Sequence, residues 1–326
     1  MMSTAPSSAI LRDIYAKMLL TRIVDDRVWR LYAQGYIDFV TSSHGHEAAQ
    51  VGSAICIEVG KDFTLPYYRD QGVVLTIGMT PYEVFRTCLH SQRLQQKGQP
   101  GSTKMPIQHW GYQKHNTITS PVPVATQLLH AAGIAFASKL RKAAVVTVAY
   151  CGDDATNEPD FAESLNFAAN HSLPIVFICE QDCTPFLAHD SFATSLPPSC
   201  MPRDALPAGM AYQRIDGTDV TAVYTAMCQA MLNAREGRGP TFLEMALARS
   251  QPTVLLPYSG DPSTMVQYAP PPSNAGKLFD PLVRCRHSLQ EQGIWDDEWA
   301  NQLSTRMMTE VERALQDALR DTLQSK

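Results

Sequence analysis

Two short, almost wholly apolar runs, residues 143–150 and 173–179, constrain the fold of this chain more than any other feature. Neither alternates polar with apolar residues, so neither suits a strand with one wet face, and both read as strands buried on both sides. Residues 160–170 between them carry a helical pattern. The alternation continues with a strand at 212–215, a helix at 220–235 and a strand at 241–247. Strand, helix and strand in repeated order require crossover connections, which give parallel strands covered by helices. The expectation is an α/β fold with a doubly wound, mostly parallel sheet and helices on both faces.

The flanks are helical. Ile10, Ile14, Met18, Ile23, Val24, Val28 and Leu31 recur at a helical period over residues 8–34, and Gly35 stands where a helix would stop. Further helices are expected at 45–59, 81–90, 126–139, 280–292 and 295–323, with a loop or short strand at 65–70. Residues 91–120 have neither period and are long for a routine connection, so a functional or mobile segment is expected there. A Pro-rich excursion follows Arg249. The economical organisation is one domain over residues 1–326, with helical arms at 1–40 and 270–326.

Composition narrows the function. Lys and Arg total 27 against 32 Asp and Glu, a net charge of -5 without a basic run, which argues against a nucleic-acid groove. No apolar run approaches the roughly 20 residues of a membrane span, and residues 1–10 lack the basic start and apolar stretch of an export signal. A cytoplasmic protein is expected, with its eight cysteines reduced. Cys179, Cys183 and His189 do not have zinc-site spacing. His44 and His46 read as a loop-to-helix junction, His115 and His130 have no evident partner, and Met307 and Met308 read as packing.

Chemistry concentrates where two strands end. Gly152-Asp153-Asp154-Ala155 follows the first apolar run and Glu180-Gln181-Asp182 the second. Ligands of open parallel sheets collect outside the carboxyl ends of strands. Asp153 and Asp182 are hard oxygen ligands suited to Mg²⁺ bridging a phosphate, and a nearby helix N-terminus would add N–H donors. Acidic residues after strands also serve as helix caps, and on the residues alone that alternative stays open.

The segment Gly152-Asp-Asp-Ala-Thr-Asn-Glu-Pro-Asp-Phe-Ala-Glu-Ser-Leu-Asn-Phe-Ala-Ala169, followed by Leu173-Pro-Ile-Val-Phe-Ile-Cys-Glu180, resembles the thiamine-diphosphate motif of the α subunits of 2-oxo acid dehydrogenase E1 components. Ser43-His-Gly-His-Glu-Ala-Ala-Gln-Val51, Pro66-Tyr-Tyr-Arg-Asp70, Lys104-Met-Pro106, Thr117-Ile-Thr-Ser-Pro121, Ala125-Thr-Gln127, Asp216-Gly-Thr-Asp219 and Asp280-Pro-Leu-Val-Arg284 fall in the family's order. The branched-chain, 2-oxoisovalerate type looks nearest. The resemblance implies an oxidoreductase in an α2β2 heterotetramer with a β subunit. It would oxidatively decarboxylate a branched-chain 2-oxo acid or pyruvate and pass the acyl group to a lipoyl-bearing E2.

By the same resemblance Tyr68 and Arg69 match the diphosphate-binding pair. Gly152, Asp153, Asp154 and Ala155 lie in the cofactor motif, and Ser120 and Val124 approximate the aminopyrimidine loop. Asp153, Asp182 and the Thr184 carbonyl match the Mg²⁺ ligands, and Ser120, Thr126 and Gln127 approximate a potassium-binding loop. Three departures stand out. A glycine is replaced by Asp154, an asparagine ligand by Asp182, and the segment after Arg249 lacks the family's catalytic histidine. Each added carboxylate about 6 Å from a diphosphate would cost roughly 2 to 3 kcal/mol at an effective dielectric near 20. Weakened cofactor binding is therefore expected. A degenerate homologue supporting a partner competes with the active α subunit, and some other phosphate-binding α/β enzyme is a third reading.

Overall fold

The computed structural model describes residues 5–37, 40–96, 110–119, 123–183, 199–201, 205–248, 254–255, 266–267 and 279–324. In chain order the elements are α1 (Ser8–Ala33), α2 (Glu47–Ala54), β1 (Phe63–Leu65), α3 (Gln71–Thr76), α4 (Pro81–Gln96), α5 (Thr126–Leu140), β2 (Thr147–Gly152), α6 (Pro159–Asn170) and β3 (Ile175–Asp182). They continue with β4 (Ala211–Asp216), α7 (Val220–Arg235), β5 (Thr241–Leu247), β6 (Val254–Leu255), β7 (Val266–Gln267), α8 (Pro281–Glu291) and α9 (Asp297–Gln324).

Strands β1 to β5 form one sheet in the order β1-β2-β3-β5-β4, with every pairing parallel. Residues of opposite parity feed opposite faces, as the two-residue repeat of a strand requires. Val148, Tyr150, Val176, Ile178, Leu243 and Met245 pack under α2, α3 and α7. Ala149, Cys151, Ile175, Phe177, Cys179 and Phe242 pack under α5 and α6. Covering both faces buries β2 and β3 almost completely, which explains their apolar runs.

Both central strands start and end later than their apolar composition suggests. The first residues of the 143–150 run serve the end of α5 instead, where Lys142 has φ +54° and Ala143 N–H bonds Ser138 O. The ladder begins at Thr147, opposite Phe63. Strand β3 runs through polar Glu180 and Gln181 to Asp182 because β5 keeps pairing with it, Asp182 lying opposite Leu247. Helix α2 is shorter than the 45–59 pattern, α4 is longer than 81–90, and α3 lies where no helix was expected.

The two terminal segments are not free arms. Val24, Val28 and Leu31 of α1 share a core with Val84, Phe85 and Cys88 of α4 and with Val311, Leu315 and Ala318 of α9. Leu11, Ile14 and Met18 meet Cys285 and Leu289 of α8. Arg22 of α1 joins the layers, reaching Glu47 at 2.5 Å and Asp280 at 3.0 Å. The segments 216–219 and 280–284 also meet, since Arg284 Nη1 donates to Asp216 Oδ2 at 2.7 Å. Asp219 and Asp280 cap α7 and α8, each accepting two backbone N–H groups. No helix among the described residues is long and apolar enough to cross a membrane.

Candidate functional site

Three strand ends converge at the carboxyl edge of the sheet. Past β1 the chain turns through residues 66–70, and four side chains fix that turn. Ser43 Oγ donates to Arg69 O at 2.9 Å and Gln50 Nε2 to the same carbonyl at 3.1 Å. Trp110 Nε1 donates to Tyr68 O at 3.0 Å, and Asp70 Oδ2 accepts Tyr67 N–H at 2.8 Å. Arg69 is thereby held at 8% exposure, with Nη1 at 3.3 Å from Ser42 O and its guanidinium 5.3 Å from the centre of the Tyr68 ring. Burial works against its charge, but Tyr68, Tyr67 and Asp182 outweigh burial and strengthen its hold on the proton. Arg69 and Asp182 are therefore electrostatic neighbours, although 113 residues separate them.

Asp153 and Asp182 leave the ends of adjacent parallel strands, where Gly152 pairs with Glu180. Burial first, and then the charges of both aspartates, push the Cys183 thiol up to about 12, so both carboxylates act on one point. Asp153 opens a 3-10 turn, Asp153–Asn157, closed by Thr156 Oγ1 donating to Asp153 O at 2.7 Å. Helix α6 starts only at Pro159, so the N–H donors nearest the strand end belong to that turn and not to the expected helix N-terminus. Ala155 has its side chain in the core beneath α5 and α6. Asp154 is exposed and is not among the residues with positive φ, so its position does not demand the glycine the family carries there.

Val124 is 44% exposed and precedes Ala125, whose φ of +71° turns the chain into α5. Thr126 Oγ1 donates to Asp160 Oδ2 at 3.2 Å, and Gln127 Nε2 donates to Tyr150 O at 2.9 Å. Both side chains thus anchor α5 to its neighbours. Ser120, Thr184, Arg249, Lys104, Met105, Pro106 and Pro121 lie outside the described residues.

The sequence did not single out a buried polar network behind the turn. Glu180 Oε2 accepts from His46 Nδ1 at 2.6 Å, Tyr67 OH at 2.9 Å and Gln50 Nε2 at 3.2 Å. Gln50 also accepts Gly72 N–H through Oε1 at 3.0 Å, so one amide ties α2, the turn, α3 and β3 together. Strand parity could have placed Glu180 on the face of Val176 and Ile178. Nothing local announces that His46, 134 residues away, meets it.

The donor set suits a diphosphate held through a divalent cation: one buried guanidinium, two carboxylates on adjacent strand ends, and room beside Gly152. A Cβ on Gly152 would meet only Tyr67 Cε2, at 3.6 Å. A family model described as Dehydrogenase E1 component matches residues 15–325. The chain belongs to the dehydrogenase E1 component family.

Among E1 proteins it is 35% identical over 312 residues to the 2-oxoisovalerate dehydrogenase subunit alpha of Bacillus subtilis (strain 168), covering 94% of this chain and 89% of the relative. It is 34% identical over 319 residues to the 3-methyl-2-oxobutanoate dehydrogenase subunit alpha of Mycobacterium tuberculosis (strain ATCC 25618 / H37Rv), covering 95% and 78%. Identity to the pyruvate dehydrogenase E1 component subunit alpha of Staphylococcus aureus (strain Mu50 / ATCC 700699) is 29% over 312 residues, covering 94% and 77%. Of these three E1 relatives, the two branched-chain enzymes are the more similar.

Proposed function

We propose that this chain is the α subunit of a thiamine-diphosphate-dependent E1 that decarboxylates a branched-chain 2-oxo acid and delivers the acyl group to a lipoyl-bearing E2. It would work beside a β subunit in an α2β2 assembly, as one domain over residues 1–326. Its eight free cysteines suit a reducing compartment such as the cytoplasm. The observation that carries the reading is that Asp153 and Asp182 leave adjacent parallel strand ends at the edge of the sheet where the buried Arg69 turn lies, with Asp182 among the charges that strengthen the Arg69 guanidinium's hold on its proton.

In this reading Arg69, beside Tyr68, holds the diphosphate as a fork of N–H donors. Asp153 and Asp182, with the Thr184 carbonyl, hold Mg²⁺. When bound, thiamine diphosphate supplies the electron sink for decarboxylation. The chain's own contribution is to orient and neutralise the anionic end. The departures at Asp154 and Asp182 fit an active subunit: the Asp154 side chain faces solvent, where its field is screened, and the Asp182 charge is partly offset by the positive charge of Arg69.

The test is calorimetric titration of the chain, assembled with its β subunit, against thiamine diphosphate and Mg²⁺, followed by decarboxylation of 3-methyl-2-oxobutanoate. Saturable heat that Arg69→Ala abolishes is expected. A folded complex that gives no heat at about millimolar cofactor overturns the proposal.

A further inference from the structure

Helices α2 and α7 pack closely at a glycine, and that approach brings two thiols together. A Cβ on Gly52 would lie 3.0 Å from Val220 Cγ2 and from Val223 Cγ1, so a larger residue there would press the helices apart. One turn further on, just past the end of α2, Cys56 Sγ stands 3.4 Å from Cys228 Sγ of α7. Cys56 Sγ also lies 3.7 Å from Gly52 O and 3.9 Å from Tyr224 O, which seats it in the crevice between the two helices. Both cysteines are half-buried, so a small solute can reach them. A second close pair, Cys179 and Cys200 at 3.8 Å, differs in access, because Cys179 is fully buried.

We propose that Cys56 and Cys228 are a peroxide-responsive thiol pair that closes to a disulfide and clamps α2 to α7. The two thiols have distinct roles. The hydrogen bond from Cys56 first, and Tyr224 as well, hold the Cys228 thiol below its ordinary value against burial, while the same bond pushes Cys56 up. Cys56 is therefore the donor and Cys228 the sulfur that ionises, and the thiolate is the nucleophilic form. Cys200 has no such help, since its bond to Cys179 and burial both push it up.

The oxidant is hydrogen peroxide, and the steps balance. The Cys228 thiolate attacks one peroxide oxygen, so an S–O bond forms as the O–O bond breaks and hydroxide leaves with the bonding pair. The hydroxide takes up the proton that Cys228 lost on ionising. The Cys56 sulfur then attacks the sulfenic acid at Cys228, so the S–S bond forms as the S–O bond breaks, and the hydroxyl departs as water with the Cys56 proton. Two thiols give up two electrons and two protons, and one peroxide becomes two waters. The bond joins positions 172 residues apart, so it restrains the unfolded chain far more than the folded one.

The test is to treat the folded full chain with hydrogen peroxide, alkylate the remaining thiols and digest without reduction. Mass spectrometry is expected to find a peptide linking Cys56 to Cys228, lost on treatment with dithiothreitol, and Cys200 is expected to react at least about tenfold more slowly than Cys228. In Cys56→Ser the reaction should halt at the Cys228 sulfenic acid, which dimedone traps, and in Cys228→Ser the Cys56 thiol should stay free. Oxidation of the native chain should raise its melting temperature by several degrees, and oxidation of Cys228→Ser should not. Cys228 passing to the sulfinic acid with no linked peptide, or Cys200 reacting as fast as Cys228, overturns the pair. An unchanged melting temperature in the linked chain overturns the clamp. Peptide mapping of the native chain decides the first question even if neither variant folds.

Discussion

Glu180 and Glu244 occupy neighbouring strands of one sheet, are equally buried, and face opposite ways. Glu244 lies opposite Cys179 in the β3–β5 ladder, on the side covered by α5 and α6. Its two oxygens each accept two donors. Ser199 Oγ and Tyr212 OH reach Oε2, both at 2.6 Å, while Cys200 N–H and Arg214 Nε reach Oε1 at 3.0 and 3.1 Å. Glu180 takes all three of its outside donors on one oxygen. A saturated buried acid with its own guanidinium is a structural fastener. The unsaturated one sits where α2, the 66–70 turn and the strand bearing Asp182 converge. The contrast teaches that two acids equally buried in one sheet can differ in how far their oxygens are satisfied, so burial alone does not mark a functional acid.

The contrast is tested hardest at Glu244. Glu244→Ala strands the Arg214 charge and leaves Cys200 N–H without its acceptor, so a loss of about 3 kcal/mol is expected in denaturant melts. Affinity of the surviving folded complex for thiamine diphosphate should change little, and a large change there would erase the distinction between the two sides. On the opposite side the expected signature reverses. Arg69→Lys replaces a planar fork with a point charge, so cofactor affinity should fall about 10- to 100-fold in calorimetry, with a smaller stability loss than Glu244→Ala.

Asp280, paired with Arg22, sets the scale for an ordinary fastening carboxylate. Burial alone would raise its carboxyl, but Arg22 and the capped N–H groups of α8 hold it below its ordinary value. A carboxylate depressed in the folded state adds stability above its unfolded pKa of about 3.9, and that stability is lost as pH falls through the folded value. Asp280→Asn should therefore cost about 1 kcal/mol at neutral pH, and its stability should converge on the native curve in acid. A gap that stays constant below about pH 3 would falsify that assignment. The smallest effect is expected for Asp154→Gly. Because Asp154 is exposed and has no left-handed backbone, stability should stay within about 0.5 kcal/mol, and cofactor affinity should rise by less than about threefold.

Much of the architecture was legible in the chain because parallel strands buried on both faces leave an apolar signature. Helix α7 and strand β5 have the bounds their patterns suggested, and β4 extends its expected span by one residue at each end. Local pattern failed where hydrogen-bond partners decide where a strand begins or ends. Thr147 starts β2 because Phe63 is there to pair with it, and Asp182 ends β3 because Leu247 lies opposite. The shortness of α2 and the presence of α3 likewise follow from packing against the sheet and α1, which periodicity does not register.

The motif segments named most of the groups at the carboxyl edge: Tyr68, Arg69, Asp153 and Asp182. They did not name Asp70, Glu180, Gln50 or His46 as a set. Covalent order fixes which residues follow a strand and which face of it they occupy, since both are local geometry. Which buried oxygen meets which donor depends on distances between segments more than a hundred residues apart, and those distances exist only once the helices have closed over the sheet.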